Sequence, residues 1–210
     1  MKVLLVNGSP HKEGCTYTAL REVAGTLNAE GIETEIFQIG AKPLSGCIAC
    51  SKCLETGRCV FPDRVNEFLE SAADFDGFIF GSPVHYASAA GAMTCFMDRA
   101  FYAGFGSGNQ AFYLKPAAVV VSTRRSGTTA TFDQLNKYLT MTEMPVISSW
   151  YWNMVHGNTP EEVQADSEGM QIMRTLGRNM AWFLKCKEAG IKAGIPFPVR
   201  EKRVSTNFIR

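Results

Sequence analysis

The first strand-like run constrains the fold most. Lys2-Val3-Leu4-Leu5-Val6 is apolar without alternation, and Asn7-Gly8-Ser9-Pro10 then ends it in a dense turn signal. A strand with almost no polar face must be covered on both sides, which is the condition inside a parallel sheet. The pattern recurs. Segments 34–39, 77–80, 117–122 and 145–150 read as further strands, the third broken by Gly81-Ser82-Pro83. Between them lie stretches with helical spacing. Leu20, Val23, Ala24 and Leu27 place one helix over about 16–29. Asp63 caps a second, whose Val65, Phe68, Leu69 and Ala72 share a face. Met93, Phe96, Met97, Ala100 and Phe101 mark a third, and 131–140 a fourth. The last long helix, about 166–188, carries Ile172, Met173, Leu176, Met180, Phe183 and Leu184. Strands alternating with helices predict an α/β three-layer, doubly wound sandwich around a five-stranded parallel sheet. Such sheets bind ligands outside the carboxyl ends of their strands, which directs attention to the loops after strands one, three and four.

The chain's 210 residues suit one domain, expected over 1–190, with a cysteine-rich excursion at 42–62. The tail, 191–210, has two prolines and no period, and reads either as an arm on a partner subunit or as a loose end. With 21 Lys+Arg against 20 Asp+Glu, bulk electrostatics argue against a nucleic-acid partner. No apolar run reaches the roughly 18 residues that would span a membrane. The apolar start is too brief for a signal peptide, so a cytoplasmic protein is expected. Seven cysteines fit poorly with a closed disulfide framework and favour thiols, metal ligands or redox chemistry.

The loop 7–16 joins the first strand to the first helix. Gly8 and Gly14 allow close backbone approach, Ser9, Thr16 and Thr18 offer hydroxyls, and His11 and Lys12 offer donors. A helix start exposes unpaired N–H groups and partial positive charge, which suits a phosphate. The loop is neither GxGxxG nor a P-loop, and an ordinary strand-to-helix turn accounts for the same residues. Taken alone, Cys15 reads as a small packed thiol.

Val6-Asn7-Gly8-Ser9-Pro10-His11-Lys12-Glu13-Gly14-Cys15-Thr16 resembles the phosphate loop of the NADPH-dependent FMN reductase and iron–sulfur flavoprotein group of flavodoxin-like proteins. Gly81-Ser82-Pro83-Val84-His85-Tyr86-Ala87-Ser88 is similar to the loop that lies along the isoalloxazine ring there. The stretches 95–99, 122–127 and 151–157 also look like that group, and the resemblance extends over about 1–185. It implies a flavodoxin-like fold and FMN as cofactor. It further implies NAD(P)H and a small-molecule electron acceptor as partners, and a homodimer or homotetramer. By this resemblance Ser9, His11, Cys15, Thr16 and Tyr17 surround the FMN phosphate. Pro83, Val84, His85 and Tyr86 line the ring, as do Ser122, Thr123 and Arg124. One departure is Cys15, where the group usually has Asn, so a side-chain amide is missing near the phosphate. The physics of these loops agrees: a flavin needs a flat apolar slot with polar groups at its pyrimidine edge. Arg124 or Arg125 would either stabilise negative charge there or meet the 2′-phosphate of NADPH.

Cys47, Cys50, Cys53 and Cys59 follow C-x2-C-x2-C-x5-C between the second strand and the Asp63 helix. Four thiolates at this spacing can wrap a [4Fe–4S] cluster or a tetrahedral zinc. Lys52 and Arg58 would offset part of the negative charge. Plain reduced thiols, or a thiol pair that forms a disulfide, fit the same residues. The resemblance assigns the loop to an electron-transferring cluster. Tyr151, Trp152, Asn153 and His156 read either as a lid or partner-subunit wall or as packing under a loop. Asp98 and Arg99 read as a local ion pair. Cys95, Cys186 and the methionine stripes of Met93, Met97, Met170, Met173 and Met180 read as core. The expected function is an FMN-dependent oxidoreductase passing electrons from NAD(P)H to a small acceptor. The alternatives are an iron–sulfur electron carrier fed by ferredoxin through the cysteine loop, and a thiol sensor without a tightly held flavin.

Overall fold

A computed structural model describes residues 1–106, 111–202, 204, 206 and 208. The chain runs β1 (Lys2–Asn7), α1 (Cys15–Ala29), β2 (Glu33–Gln38), α2 (Lys52–Thr56), α3 (Arg64–Ser71), β3 (Gly77–His85), β4 (Ser88–Ala89) and α4 (Gly91–Gly106). It continues through β5 (Ala117–Thr123), α5 (Thr128–Met141), β6 (Met154–His156), α6 (Pro160–Ala165) and α7 (Ser167–Lys192). The sheet order is β2-β1-β3-β5-β6, all parallel, with β4 turned back antiparallel on β3. The predicted five-stranded parallel sheet is present, with β4 as a short addition.

The apolar runs are explained by period two. Val3 and Leu5 of β1 pack with Leu20, Val23, Met173 and Met180 under α1 and α7. Leu4 and Val6 point the other way, to Phe68, Phe96 and Met97 under α3 and α4. Each strand therefore feeds two cores, and each core needs an apolar residue at every second position. The methionine stripes are buried as expected.

Four expectations change. First, β3 runs through Gly81-Ser82-Pro83 to His85. Its pairing with β1 stops at Asn7↔Gly81, so beyond that point one side of β3 is an edge. Pro83, paired only with Ser122, then loses little by lacking an N–H. Second, the fifth strand is not continuous over 145–150. Val146 makes an isolated bridge to Ala117, and regular pairing resumes only at Met154–His156. Between them Ser149 Oγ donates to the Tyr151 carbonyl, and Asn153 Nδ2 to the Val119 carbonyl at 3.1 Å, so the chain bulges outward. Third, Cys186 is exposed on α7 and Cys95 is only half-buried. Both lie off the apolar stripes that hold Met173, Leu176 and Met180, and Met93, Phe96 and Met97. Fourth, Asp98 and Arg99 are not partners. Tyr138 donates to Asp98, while Arg99 turns inward to Asp63.

The helices start or end slightly beyond expectation, α5 at Thr128 and α7 at Lys192. Past α7 the described tail residues from Ile195 on form no helix or strand, and Arg200 pairs with Glu143 and lies 3.9 Å from the Tyr113 ring centre. Among the described residues no helix is long and apolar enough to cross a membrane.

Candidate functional site

At the carboxyl end of β1 the chain is held in a tight cradle. Gly8 N–H donates to the Gly81 carbonyl at 2.8 Å. A Cβ on Gly8 would sit 2.8 Å from that carbonyl and 2.7 Å from Met93 Sδ, so only glycine fits. Asn7 is fully buried and works as a bracket. Its Nδ2 donates to Gln38 Oε1 at 2.6 Å and to the Lys12 carbonyl at 3.3 Å. Its Oδ1 accepts from Ser9 N at 3.1 Å. Gln38 returns the support, donating from Nε2 to the Ser9 carbonyl at 2.6 Å. Ser9 Oγ accepts from His11 N at 3.2 Å, which curls the loop toward α1.

This cradle faces the start of α1. Gly14 is the N-cap, no side chain caps it, and no acid lies in the first turn. The first intrahelical bond is Thr18 N to the Gly14 carbonyl, at 3.0 Å, so the N–H groups of Cys15, Thr16 and Tyr17 point out of the helix end. Thr16 Oγ1 and Ser122 Oγ share a hydrogen bond of 2.7 Å, which ties this end of α1 to the end of β5. Burial pushes the Cys15 thiol up, so it is a neutral neighbour to an anion. The tyrosine ring of Tyr17 turns elsewhere, into a hollow between α1 and α6 beside Arg21.

Beside the cradle two loops meet. β3 and β4 form a hairpin, Val84↔Ala89 and His85↔Ser88, whose two turn residues are Tyr86 and Ala87. Both have positive φ, +50° and +59°. A two-residue hairpin of this hand normally takes Asn-Gly, and a residue with a Cβ there costs on the order of 1 kcal/mol. The strained turn throws the Tyr86 ring fully into solvent. Gly127, at φ +93°, brings the loop after β5 against it: a Cβ there would lie 2.4 Å from Ala87 Cα. Pro83 and Val84 are half-buried on this ledge, while His85 and Arg124 are exposed above it. Thr123 Oγ1 accepts from Arg125 N at 3.3 Å and shapes the β5 loop. The site therefore brings Ser9, Thr16, Ser122 and the α1 N–H groups to one end, with the Pro83–Tyr86 and Thr123–Arg124 loops adjoining. That donor set, and a cradle that a Cβ would fill, fit a phosphorylated flavin.

The cysteines gather at a second place. Cys47, Cys50, Cys53 and Cys59 line one small cavity of about 20 Å³ together with Arg99 and Tyr102. Ala49 and Ser51 take positive φ, +52° and +58°, which folds the loop back on itself. Burial pushes the Cys53 thiol up, and charge on Cys59, Cys47 and Cys50 pushes the same way. Among the described residues no three acidic, histidine or cysteine side chains already stand in metal-holding geometry. The donor set and its shared cavity nevertheless fit a thiolate-bound metal group.

Cys59 is the most firmly held. Its N–H donates to Asn66 Oδ1 at 2.8 Å, and Asn66 Nδ2 donates to the carbonyls of Cys59 and Phe61 at 2.9 and 3.0 Å. Arg99 Nε donates to Cys59 Sγ at 3.1 Å. The sequence reading missed Asn66, Arg99, Asn7 and Gln38. Asn66 carried a local signal, since it lies three residues after the Asp63 cap. The guanidinium that meets a cysteine sulfur is that of Arg99, while Arg58 pairs with Glu70.

Trp150, Tyr151 and Trp152 stand about half exposed on the bulge before β6. They are not core. Tyr151, Trp152, Met154 and His156 border a hollow of about 300 Å³ beyond the β5 loop.

Over residues 1–159 the chain matches the family described as NADPH-dependent FMN reductase. It belongs to this family. It is 32% identical over 192 residues to an iron–sulfur flavoprotein of Methanocaldococcus jannaschii, covering 88% of this chain and 98% of that protein. Two solved structures share the fold of this FMN reductase family member at lower identity. RosB, with bound 8-demethyl-8-formylriboflavin-5′-phosphate, has a TM-score of 0.70 at 15% identity, covering 100% of this chain and 93% of the other. A flavodoxin from the domain Archaea has a TM-score of 0.57 at 13% identity, covering 88% of this chain and 99% of the other. The fold is thus flavodoxin-like, and the protein is a flavoprotein of the oxidoreductase class.

Proposed function

We propose that this protein binds FMN at the β1–α1 cradle and passes electrons from NAD(P)H to a small-molecule acceptor. The observation that carries the reading is the uncapped N-terminus of α1 beside Ser9, Thr16 and Ser122, next to two ledge loops in contact at Gly127 and Ala87. Ser9, His11, Cys15, Thr16 and Tyr17 would hold the phosphate, Tyr17 through its backbone N–H rather than its ring. Pro83, Val84, His85 and Tyr86 would line the ring, as would Ser122, Thr123 and Arg124. Bound FMN supplies the redox chemistry, taking up a hydride's two electrons and releasing them singly or in pairs. The chain's residues bind and orient. Asn7 and Gln38 keep the phosphate loop preformed, so little ordering cost falls on binding. Arg124, on the open end of the site, would place a permanent positive charge where a reduced flavin ring gains negative charge or where the 2′-phosphate of NADPH carries it. Tyr86 supplies an exposed aromatic face against which a second planar molecule can stack. The same open pocket would serve NAD(P)H and acceptor in turn.

A second reading is favoured by the four cysteines around one cavity and by the name of the Methanocaldococcus jannaschii relative. Here Cys47, Cys50, Cys53 and Cys59 hold a [4Fe–4S] cluster, and the protein exchanges single electrons with ferredoxin. Both readings place the protein in the cytoplasm, as a homodimer or homotetramer that walls off the open flavin site. The absorption spectrum and iron content of protein prepared without oxygen separate them. Flavin bands alone, with rapid bleaching by NADPH, support the reductase. Flavin bands with about four irons per chain support the carrier. A protein that neither holds nor takes up FMN refutes both. Thr16→Asp sets a carboxylate against the phosphate, and unchanged FMN affinity in that variant would show that the phosphate lies elsewhere.

A further inference from the structure

We propose that Arg99, held by Asp63, is a positioning residue that aims a permanent cation at the Cys59 sulfur and raises the reduction potential of the metal group the cysteine loop holds. The proposal rests on the iron–sulfur reading above. Arg99 is the largest fully buried side chain among the described residues, 2% exposed, on the inward face of α4. Its two terminal nitrogens are both committed to Asp63, at 2.8 and 2.9 Å. Nη1 also donates to the Ser45 carbonyl at 3.3 Å, and Nη2 to the Phe61 carbonyl at 3.4 Å. Only Nε remains, and the planar guanidinium fixes its direction, 3.1 Å from Cys59 Sγ. The Phe61 ring centre lies 4.9 Å from the guanidinium carbon and helps exclude water.

This arrangement is asymmetric within the loop. Among the described residues Cys47 Sγ accepts a hydrogen bond only from a backbone N–H, that of Ala49 at 3.5 Å. Cys59 meets a charged donor, and Asn66 holds the Cys59 backbone at both its N–H and its carbonyl. A hydrogen bond from a cation to a metal-bound thiolate stabilises the more negative, reduced state, and second-shell bonds of this kind tune both potential and metal affinity. Asp63 has the opposite sign of effect. Its carboxylate offsets the Arg99 charge, and its Oδ1 also caps α3 by accepting from Val65 N at 3.1 Å. For stability alone a buried pair is a poor device, since well-packed apolar residues of similar volume often serve as well or better. An electrostatic role for the pair predicts what a packing role does not: removing either member shifts the potential in opposite directions.

The test uses full-length protein reconstituted with iron and sulfide without oxygen. It reads the cluster's midpoint by a redox titration followed in its spectrum, with iron and FMN counted per chain. Arg99→Gln is expected to lower the midpoint, changing the reduced-to-oxidised ratio at fixed potential at least tenfold, about 59 mV for one electron. Asp63→Asn, which retains a capping side chain, is expected to raise it. Arg99→Lys keeps the charge without the fork and should fall between wild type and Arg99→Gln. Unchanged midpoints in loaded variants, or shifts of the same sign in both, overturn the assignment and leave the iron–sulfur reading standing. Wild-type protein that takes up FMN but no iron overturns the iron–sulfur reading, and this assignment with it. If Arg99→Gln loses its FMN through misfolding, Asp63→Asn decides: a raised midpoint supports the role, and an unmoved one refutes it.

Discussion

Replacing Gly8 by alanine tests the cradle at its tightest point. The added methyl would meet the Gly81 carbonyl at 2.8 Å, Met93 Sδ at 2.7 Å and Met93 Cβ at 3.1 Å. Met93 is a flexible side chain, but it is fully buried, and the carbonyl belongs to the centre of β3. Neither can yield without cost. Overpacking of this kind destabilises by about 1–3 kcal/mol. The free protein can relieve part of that by moving the loop off Gly81, stretching the 2.8 Å bond from Gly8 N. Binding FMN must then restore the loop, so the strain reappears as lost affinity. A penalty of about 1.4–2.8 kcal/mol corresponds to about 10–100-fold in Kd. Gly25→Ala is the control. Gly25 is exposed within α1, and a Cβ there meets nothing within 4 Å. Its substitution should stabilise by about 0.5–1 kcal/mol and leave FMN binding alone. Urea unfolding and quenching of flavin fluorescence measure the two quantities. If Gly8→Ala binds FMN as the wild type does, the phosphate is not held by this loop.

Two further outcomes follow from strain and burial. Ala87→Gly removes a positive-φ penalty in the β3–β4 turn, so the midpoint of urea unfolding should rise, by about 1 kcal/mol in stability; a lower midpoint would contradict the turn geometry. In metal-free protein Cys53 should react with iodoacetamide more slowly than Cys47 and Cys50, because burial and neighbouring thiolates raise its pKa while the other two are exposed. The gap should narrow as pH rises and more of Cys53 becomes thiolate; mass spectrometry of tryptic peptides would reveal equal rates if the cavity does not form.

Much of the fold was legible because its cause is local. Val3 to Val6 is apolar throughout, and a strand of that kind belongs inside a covered sheet. Leu20, Val23 and Leu27 repeat with the helical period and do pack under the sheet. The edge strand was misplaced because an edge has one neighbour only. The bulge at Ser149 and Asn153 is decided by a bond within it, from Ser149 to Tyr151, and by one from Asn153 to β5, not by the apolar run that precedes it. Pro83 misled for the reverse reason, since its missing N–H falls on the unpaired side of β3.

The candidate site divides along the same line. Glycine placement, the turn after β1 and the cysteine spacing are properties of short segments, so the loops that matter could be read directly. Their brackets could not. Thr16 meets Ser122 across 106 residues, Gln38 supports Ser9 across 29, and Arg99 reaches Asp63 across 36. Such pairs leave no period in the chain. Asp98 is Arg99's neighbour in sequence, yet successive helix positions face about 100° apart, and only one of the two points toward the cysteine loop. Periodicity specifies which face of an element is buried; which charged groups meet there depends on how the layers stack.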